Sequence, residues 1–270
     1  MNYVNEKYLN VDSFKTKYIN NNPFPHIIFD NFINEDLLEN IFLEFPNLQE
    51  MEGHIKFQNQ KEIKLASRGS RHFSPNAKLL LEYLNSEVFL RYLQSLTNIQ
   101  ETLISDPYFE GGGYHEIKRG GLLEVHADFN KHFFIDLDRR INLLLYLNKG
   151  WKSKWGGSLE LYDKNNLQKP YKEIDPIFNR CVIFNTTSES YHGHPKPLIC
   201  PKNTSRKSIA LYYYTAGRPV EEKNESHSTI FRPALGKKSE TYLDKAKNFL
   251  KLFIPPILFK LKSKIIIYKN

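Results

Sequence analysis

Three titratable side chains, separated by a long stretch of chain, could together hold one metal ion. His126 and Asp128 lie two positions apart, and a second histidine, His192 or His194, follows about sixty residues later. Side chains at positions i and i+2 of a β-strand point to the same face, so the first pair can reach one ion from an extended segment. Two imidazoles and one carboxylate are the ligands of mononuclear Fe(II) centres with open coordination positions. The pattern therefore predicts oxygen-activating chemistry.

An arginine downstream of these residues predicts an anion site. Arg206 leads into the apolar run at 209–214, which indicates a buried strand. A buried arginine is costly unless an anion meets it. Guanidinium holds a carboxylate through two parallel N–H bonds, so we expect a dicarboxylate co-substrate at this position.

The elements that position these side chains follow from hydrophobic patterning. Residues 180–185 read as a buried strand that delivers both candidate histidines a few residues beyond its end. Residues 24–32 read as a strand, and 34–45 as a helix with one apolar face. The mixed apolar spacing over 76–97 predicts two short supporting helices.

The length of 270 residues suits one main domain with additions, and no internal repeat is visible. Residues 1–22 are polar and rich in asparagine, which predicts a loose N-terminal arm. The expected organisation is a polar arm at 1–22, helical support elements at 23–100, a β core at 101–219 and a basic, apolar C-terminal extension at 220–270.

The end of the chain carries most of the net charge. Residues 236–270 hold nine lysines against Glu240 and Asp244, which accounts for +7 of the formal +8. Pro255 and Pro256 interrupt the apolar residues, so a membrane span of ~20 residues is not expected. This segment fits either a peripheral membrane or protein contact, or a packed helix pair. No nucleic-acid motif accompanies the charge, and no nucleic-acid partner is expected.

The two cysteines, Cys181 and Cys200, give no support for a disulfide framework. No apolar N-terminal segment with a small-residue cleavage site is visible, so a reducing cytoplasm is the expected location. That environment also suits Fe(II).

Five motifs in a fixed order resemble the 2-oxoglutarate and Fe(II)-dependent oxygenases, most of all their prolyl 4-hydroxylase-like branch. The resemblance covers about residues 105–217. The motifs are Gly-Gly-Leu-Leu-Glu-Val-His-Ala-Asp at 120–128, Arg-Ile-Asn-Leu-Leu-Leu-Tyr-Leu-Asn at 140–148, Trp-Gly-Gly-Ser-Leu-Glu-Leu at 155–161, the histidines at 192–194, and Arg-Lys-Ser at 206–208.

The resemblance implies a mainly β fold with flanking helices, an α+β chain built on a double-stranded β-helix or jelly roll. It favours His192 over His194 as the third ligand. By role, the implied residues are the iron ligands His126, Asp128 and His192, and the 2-oxoglutarate contacts Arg206, Ser208 and Tyr146. Ser208 facing out of its strand, and Tyr146 serving only as core, are the structural alternatives.

One position departs from the family pattern. Many prolyl hydroxylase-like sequences carry a tyrosine about nine residues before the His-x-Asp motif, where this chain has Ile117. Tyr114 and His115 lie nearby. They fit either a co-substrate or substrate pocket, or ordinary strand and turn positions.

The activity that the resemblance implies is hydroxylation of an unactivated C–H bond, coupled to decarboxylation of 2-oxoglutarate to succinate. The implied cofactors are Fe(II), 2-oxoglutarate and O2, with ascorbate as a candidate reductant. Analogy favours a prolyl residue or a proline-like substrate, whereas glycans and other small metabolites stay open. The contrasting hypothesis is a non-catalytic jelly-roll protein that binds metal. An intact ligand set together with Arg206 argues against it.

Overall fold

The computed structural model describes residues 3–222 and 225–232. Contacts divide the chain into two units, Met1–Leu235 and Gly236–Asn270. All of the second unit lies outside the described residues, and with it most of the extension expected at 220–270. The membrane or protein contact expected there remains a prediction. None of the described helices is long and apolar enough to cross a membrane.

The described chain contains four α-helices and thirteen strands. The helices are α1 (Asp12–Asn20), α2 (Glu35–Leu43), α3 (Pro75–Leu84) and α4 (Glu87–Thr97). The strands are β1 (His26–Asp30), β2 (Ile55–Gln58), β3 (Ile63–Ala66), β4 (Ile104–Ser105), β5 (Gly113–Lys118), β6 (Leu123–Ala127), β7 (Asp138–Tyr146), β8 (Leu159–Leu161), β9 (Lys172–Ile174), β10 (Arg180–Asn185), β11 (His192–His194), β12 (Ser205–Thr215) and β13 (Ile230–Phe231).

Two antiparallel sheets form the jelly roll that the sequence predicted. The larger sheet has the order β1-β10-β7-β12-β5-β3-β2, with β4 paired to β12. The smaller sheet has the order β13-β6-β11-β8-β9. Tyr146 and Val182 of the larger sheet share one apolar cluster with Leu159 and Leu161 of the smaller sheet. The two sheets therefore face each other across a common interior.

Successive side chains of the central strands point alternately toward the helices and toward the interior between the two sheets. Leu143, Leu145 and Leu211 of the larger sheet join the cluster that contains the helices. Their neighbours at alternate positions, such as Tyr146, face the smaller sheet. Because strand side chains alternate with period two, the same strands anchor the helices and present polar groups to the interior.

The supporting helices begin at the caps that the sequence provides. The side chains of Asn34, Ser74 and Ser86 each accept a hydrogen bond from a backbone N–H in the first turn of α2, α3 and α4. Helix α4 ends at Thr97 and is capped by Asn98, whose φ of 58° is left-handed. The predicted helices at 34–45 and 76–97, and the strands at 24–32 and 180–185, are confirmed within a few residues.

The N-terminal segment differs from the loose arm expected at 1–22. Val4, Tyr8 and Tyr18 are buried in the main apolar cluster. The Tyr18 hydroxyl donates to Oδ1 of Asn185, 2.6 Å away, at the end of β10. Three apolar anchors among asparagines and lysines were too sparse to produce a clear periodic signal, yet they are enough to dock the segment.

Two further expected boundaries are corrected. Region 23–100 is not only helical, because β1, β2 and β3 join the larger sheet. The β core also continues past residue 219, since β13 pairs with β6. These strands are short, and β1, β2 and β13 lie at sheet edges, so local patterning carried little information about their pairing.

Candidate metal and co-substrate site

The structure brings His126, Asp128 and His192 together. His126 on β6 lies directly opposite His192 on β11 in the antiparallel register. Nε2 of His126 is 3.5 Å from Oδ1 of Asp128, and Nε2 of His192 is 3.5 Å from Oδ2. Among the described residues this is the one group of three or more potential ligands whose atoms all lie within 4.8 Å of one another.

The backbone orients both imidazoles for metal binding. Nδ1 of His126 is 2.8 Å from the carbonyl oxygen of Glu124, and Nδ1 of His192 is 2.9 Å from that of Ser190. A carbonyl oxygen only accepts, so each Nδ1 carries the hydrogen and each Nε2 keeps a free lone pair. Such second hydrogen bonds are what metal-ligating histidines ordinarily make. The donor set therefore fits a divalent metal ion.

Charge supports the same protonation states. Burial by itself would raise the pKa of Asp128, but Arg139 and the two histidines hold it well below its usual range. Burial, with His126 alongside, lowers the pKa of His192 to about 4, against the opposing effect of Asp128. At neutral pH the site thus offers an ionised carboxylate and a neutral His192, the forms that bind metal.

A pair of side chains that the sequence did not single out clamps Asp128. Nη2 of Arg139 donates to Oδ2 of Asp128 at 3.1 Å, and Nδ2 of Asn142 donates to the same oxygen at 2.7 Å. Nε and Nη2 of Arg139 also donate to Oδ1 of Asn142. Arg139 is 1% exposed and stacks on the ring of Tyr212, 3.5 Å from its centroid. The carboxylate is therefore fixed in direction.

A β-bulge explains why alternation did not reveal this clamp. Ile141 lies opposite Tyr213, but Tyr214 lies opposite Arg139, so one extra residue, Arg140, interrupts the ladder. Without the bulge, Arg139 and Asn142 would point to opposite faces of β7. With it, both reach the interior. Only the pairing of β7 with β12 contains this information.

We expect the Arg139→Met substitution to lower the free energy of unfolding of the metal-free protein by about 3–5 kcal/mol. Removing one partner of a buried ion pair leaves the other charge unpaired, and that loss is of this order. Urea unfolding followed by circular dichroism measures it. Arg139→Met combined with Asp128→Asn should recover part of the loss, because no unpaired carboxylate remains. A loss below about 1 kcal/mol in the single variant would contradict this role.

The anion site lies on β12. Arg206 is 5% exposed, its Nε donates to the carbonyl oxygen of Gly157 at 2.7 Å, and its Nη2 donates to the Tyr146 hydroxyl at 3.2 Å. None of the ion pairs found within 3–222 and 225–232 involves Arg206. Burial lowers its pKa, while Tyr146 opposes that effect. A buried guanidinium with neutral partners is suited to an incoming carboxylate.

Gly157 allows the arginine to lie where it does. Its φ is +77°, and a Cβ added there would come within 3.1 Å of Cδ of Arg206. A side chain would therefore strain the backbone and displace the guanidinium stem. The Trp-Gly-Gly motif noted in the sequence owes its second glycine to this contact.

The other predicted co-substrate residues lie on the same face. Ser208 is opposite Tyr146 on β7 and opposite His115 on β5. Residues directly opposite in an antiparallel pair share a face, so all three belong to the face that carries Arg206. Ser208 is 2% exposed and does not face outward to solvent. Tyr146 belongs to the apolar interior, and its hydroxyl accepts a hydrogen bond from Arg206. Its contact with 2-oxoglutarate stays a prediction.

Tyr114 and His115, which the sequence left undecided, separate clearly. Tyr114 packs on Phe45 and Phe73 in the main apolar cluster. His115 shares the face of Arg206, and burial, together with nearby cations, lowers its pKa to about 3. The neighbouring Ile117 is paired with Arg206 across the strands. The sequence shows that successive side chains of β5 point to opposite faces. It does not show which of those faces is turned toward the site.

His194, the alternative third ligand, is not in the cluster of ligand atoms. It is 2% exposed, and neither ring nitrogen has a hydrogen-bond partner. Burial lowers its pKa well below the usual range, and the charge of Arg206 adds to the effect. The geometry favours His192 as the third ligand.

A jelly roll that carries two histidines, a carboxylate and a separate buried arginine between its sheets defines the class of mononuclear non-haem metal enzymes. Residues 112–214 match the family described as the 2OG-Fe(II) oxygenase superfamily. The matched region contains His126, Asp128, His192 and Arg206, so the similarity to this superfamily includes every residue of the candidate site named above.

Two curated proteins are similar to most of this chain. The chain is 29% identical to prolyl 3-hydroxylase OGFOD1 of Mus musculus over 71% of its own length and 33% of that protein. The matching protein of Xenopus laevis is 28% identical, over 78% of this chain and 39% of that protein. The chain thus spans between a third and two fifths of the length of these relatives.

Two solved prolyl hydroxylases share the fold. One, from Trichoplax adhaerens in complex with a hypoxia inducible factor peptide fragment, superposes with a TM-score of 0.56 at 22% identity, covering 77% of this chain and 91% of that one. The other, a prolyl-4-hydroxylase from Pseudomonas putida, gives a TM-score of 0.53 at 14% identity, covering 76% and 98%. The jelly-roll prediction is confirmed.

Proposed function

We propose that this protein is an Fe(II)- and 2-oxoglutarate-dependent dioxygenase that hydroxylates an unactivated C–H bond. The observation that carries the proposal is that one interior contains both the ligand cluster and Arg206, a buried arginine that pairs with no acidic side chain among the described residues. A metal cluster alone would suit many sites, and a buried arginine alone could be structural. Together they match a co-substrate that must chelate a metal at one end and present a carboxylate at the other.

Each residue has a defined task in this proposal. His126, Asp128 and His192 hold the ion. Arg139 helps to keep the carboxylate of Asp128 ionised and, together with Asn142, fixes its direction. When bound, iron and 2-oxoglutarate supply the oxidising chemistry, with succinate and CO2 as by-products.

The co-substrate is held at its other end. Arg206 binds the distal carboxylate through its guanidinium. The Tyr146 hydroxyl lies 3.2 Å from Nη2 of Arg206. Ser208, which lies opposite Tyr146 on the neighbouring strand, adds a hydroxyl to the pocket. The surrounding apolar cluster, which includes Leu159 and Leu161, keeps this end poor in water.

For the substrate, we favour a prolyl residue or a proline-like compound. Support comes from the relatives, which are named as prolyl hydroxylases. The exposed Phe133 packs on Phe129, whose ring contacts Arg139, the partner of Asp128, and gives this side of the site an apolar rim. Such a rim suits a peptide and equally a glycan or another small metabolite. The assay below distinguishes these substrate classes. We further propose ascorbate as the reductant that maintains Fe(II), and the cytoplasm as the location.

The test is anaerobic purification with Fe(II), followed by succinate measurement from 2-oxoglutarate in air. Proline, prolyl peptides and glycans are added in parallel, with and without ascorbate. We expect slow succinate formation alone and faster formation with a true substrate. If neither Fe(II) nor 2-oxoglutarate binds and no succinate appears, the non-catalytic alternative replaces this proposal.

A further inference from the structure

One buried histidine has no role in the site as described so far. His194 is 2% exposed, and both of its ring nitrogens lack a hydrogen-bond partner. Buried polar side chains are nearly always hydrogen-bonded, so an exception calls for a missing partner.

The position of His194 points to the co-substrate end of the site. It follows His192 by two residues on β11, so alternation directs both imidazoles to the interior. In the antiparallel pairing of β11 with β8, His192 lies opposite Leu161 and Gly193 opposite Glu160, so β11 runs on toward Gly157, whose carbonyl accepts from Nε of Arg206. His194 therefore lies at the end of β11 that is directed toward Arg206.

Chemistry decides what such a group can bind. An imidazole carries at least one N–H donor, whichever of its nitrogens holds the hydrogen. Arg206 supplies the positive charge for an incoming carboxylate, and a ring N–H beside it supplies a further donor. An anion that enters next to Arg206 would accept this N–H.

We propose that His194 is a further contact of the distal carboxylate of 2-oxoglutarate, donating a ring N–H to the oxygen beside Arg206. This inference rests on the proposed function. It assigns to His194 a part in the affinity for the 2-oxo acid, and none in holding the metal.

The test compares His194→Leu with His194→Asn. Leucine removes the donor and keeps the bulk, while asparagine restores an N–H donor. Calorimetric titration of 2-oxoglutarate into the anaerobic Fe(II)-loaded protein should show about 10- to 100-fold weaker binding for His194→Leu, the range for a lost hydrogen bond to a charged group. His194→Asn should recover at least part of it.

Two controls locate the contact. Fe(II) binding should be unchanged in both variants, because His194 is not a ligand. Oxalate chelates a metal without reaching Arg206, so its affinity should also be unchanged. Thermal unfolding, compared among the three proteins, shows that the variants are folded.

Several results would overturn the proposal. Unchanged 2-oxoglutarate affinity in folded His194→Leu would remove His194 from the pocket. Equal losses for oxalate would place the imidazole at the metal end, and loss of Fe(II) would make it a ligand. If asparagine and leucine weaken binding equally, the hydrogen bond is not the cause. Failure of the unchanged protein to bind 2-oxoglutarate would instead refute the proposed function itself.

Discussion

His126→Ala and Asp128→Asn are expected to abolish Fe(II)-dependent succinate formation. Each removes one of three groups whose ligand atoms lie within 4.8 Å of one another. Residues that merely support metal ligands already change metal affinity about 10- to 100-fold when replaced, so loss of a ligand should exceed about 100-fold. Anaerobic Fe(II) titration and succinate measurement test both variants.

The two substitutions differ usefully in their side effects. Asp128→Asn keeps the shape and leaves an amide oxygen for Arg139 and Asn142, but it removes the counter-charge of Arg139, so thermal unfolding is measured to show that the variant is folded. His54→Ala is a matched control, since the His54 ring bonds only to the Met51 carbonyl and lies outside the ligand cluster. It should retain full Fe(II) affinity and activity. Wild-type succinate rates in His126→Ala would remove this residue from the site.

Arg206→Lys is expected to raise the 2-oxoglutarate concentration needed for half-maximal rate by about 10- to 100-fold, the range for hydrogen bonds to a charged group. Lysine keeps the charge but loses the planar fork, and with it the bonds to Gly157 and Tyr146. The maximal rate should fall much less, because the change acts mainly on binding. Arg206→Leu should weaken binding further.

Steady-state kinetics with varied 2-oxoglutarate separates the two effects. Arg91→Lys is the control, because Arg91 lies on the exposed face of α4 and pairs only with Glu87. It should leave the kinetics unchanged. If Arg206→Lys also shows an unchanged 2-oxoglutarate dependence, the distal carboxylate binds elsewhere.

The local sequence pattern was sufficient to predict side-chain direction wherever a strand or helix is regular. The two-residue spacing of His126 and Asp128 placed both on one side of the site, and the apolar stripes over 34–45 and 76–97 gave helices. Arg206 at the start of an apolar run was found to be buried, as its sequence context indicated. In each case the neighbours that matter are close along the chain.

The sequence pattern did not predict side-chain direction where a bulge interrupts a strand, or where the contact is with a segment far along the chain. Arg139 reaches Asp128 because Arg140 bulges out of the ladder with β12. Within the described residues, the segment at 3–22 packs through Val4, Tyr8 and Tyr18 against residues far along the chain. The phase of β5, which separates Tyr114 from His115, depends on its pairing with β12.

By itself, the sequence determined the residue types of the site, the strands and helices that carry them, and the family they resemble. Only the tertiary structure decided which of His192 and His194 meets Asp128, which groups fix that carboxylate, and what surrounds Arg206. The physical reason is that side-chain direction within a regular strand is a local property with period two. Register, bulges and the facing of two sheets arise instead from pairing between segments that lie far apart along the chain.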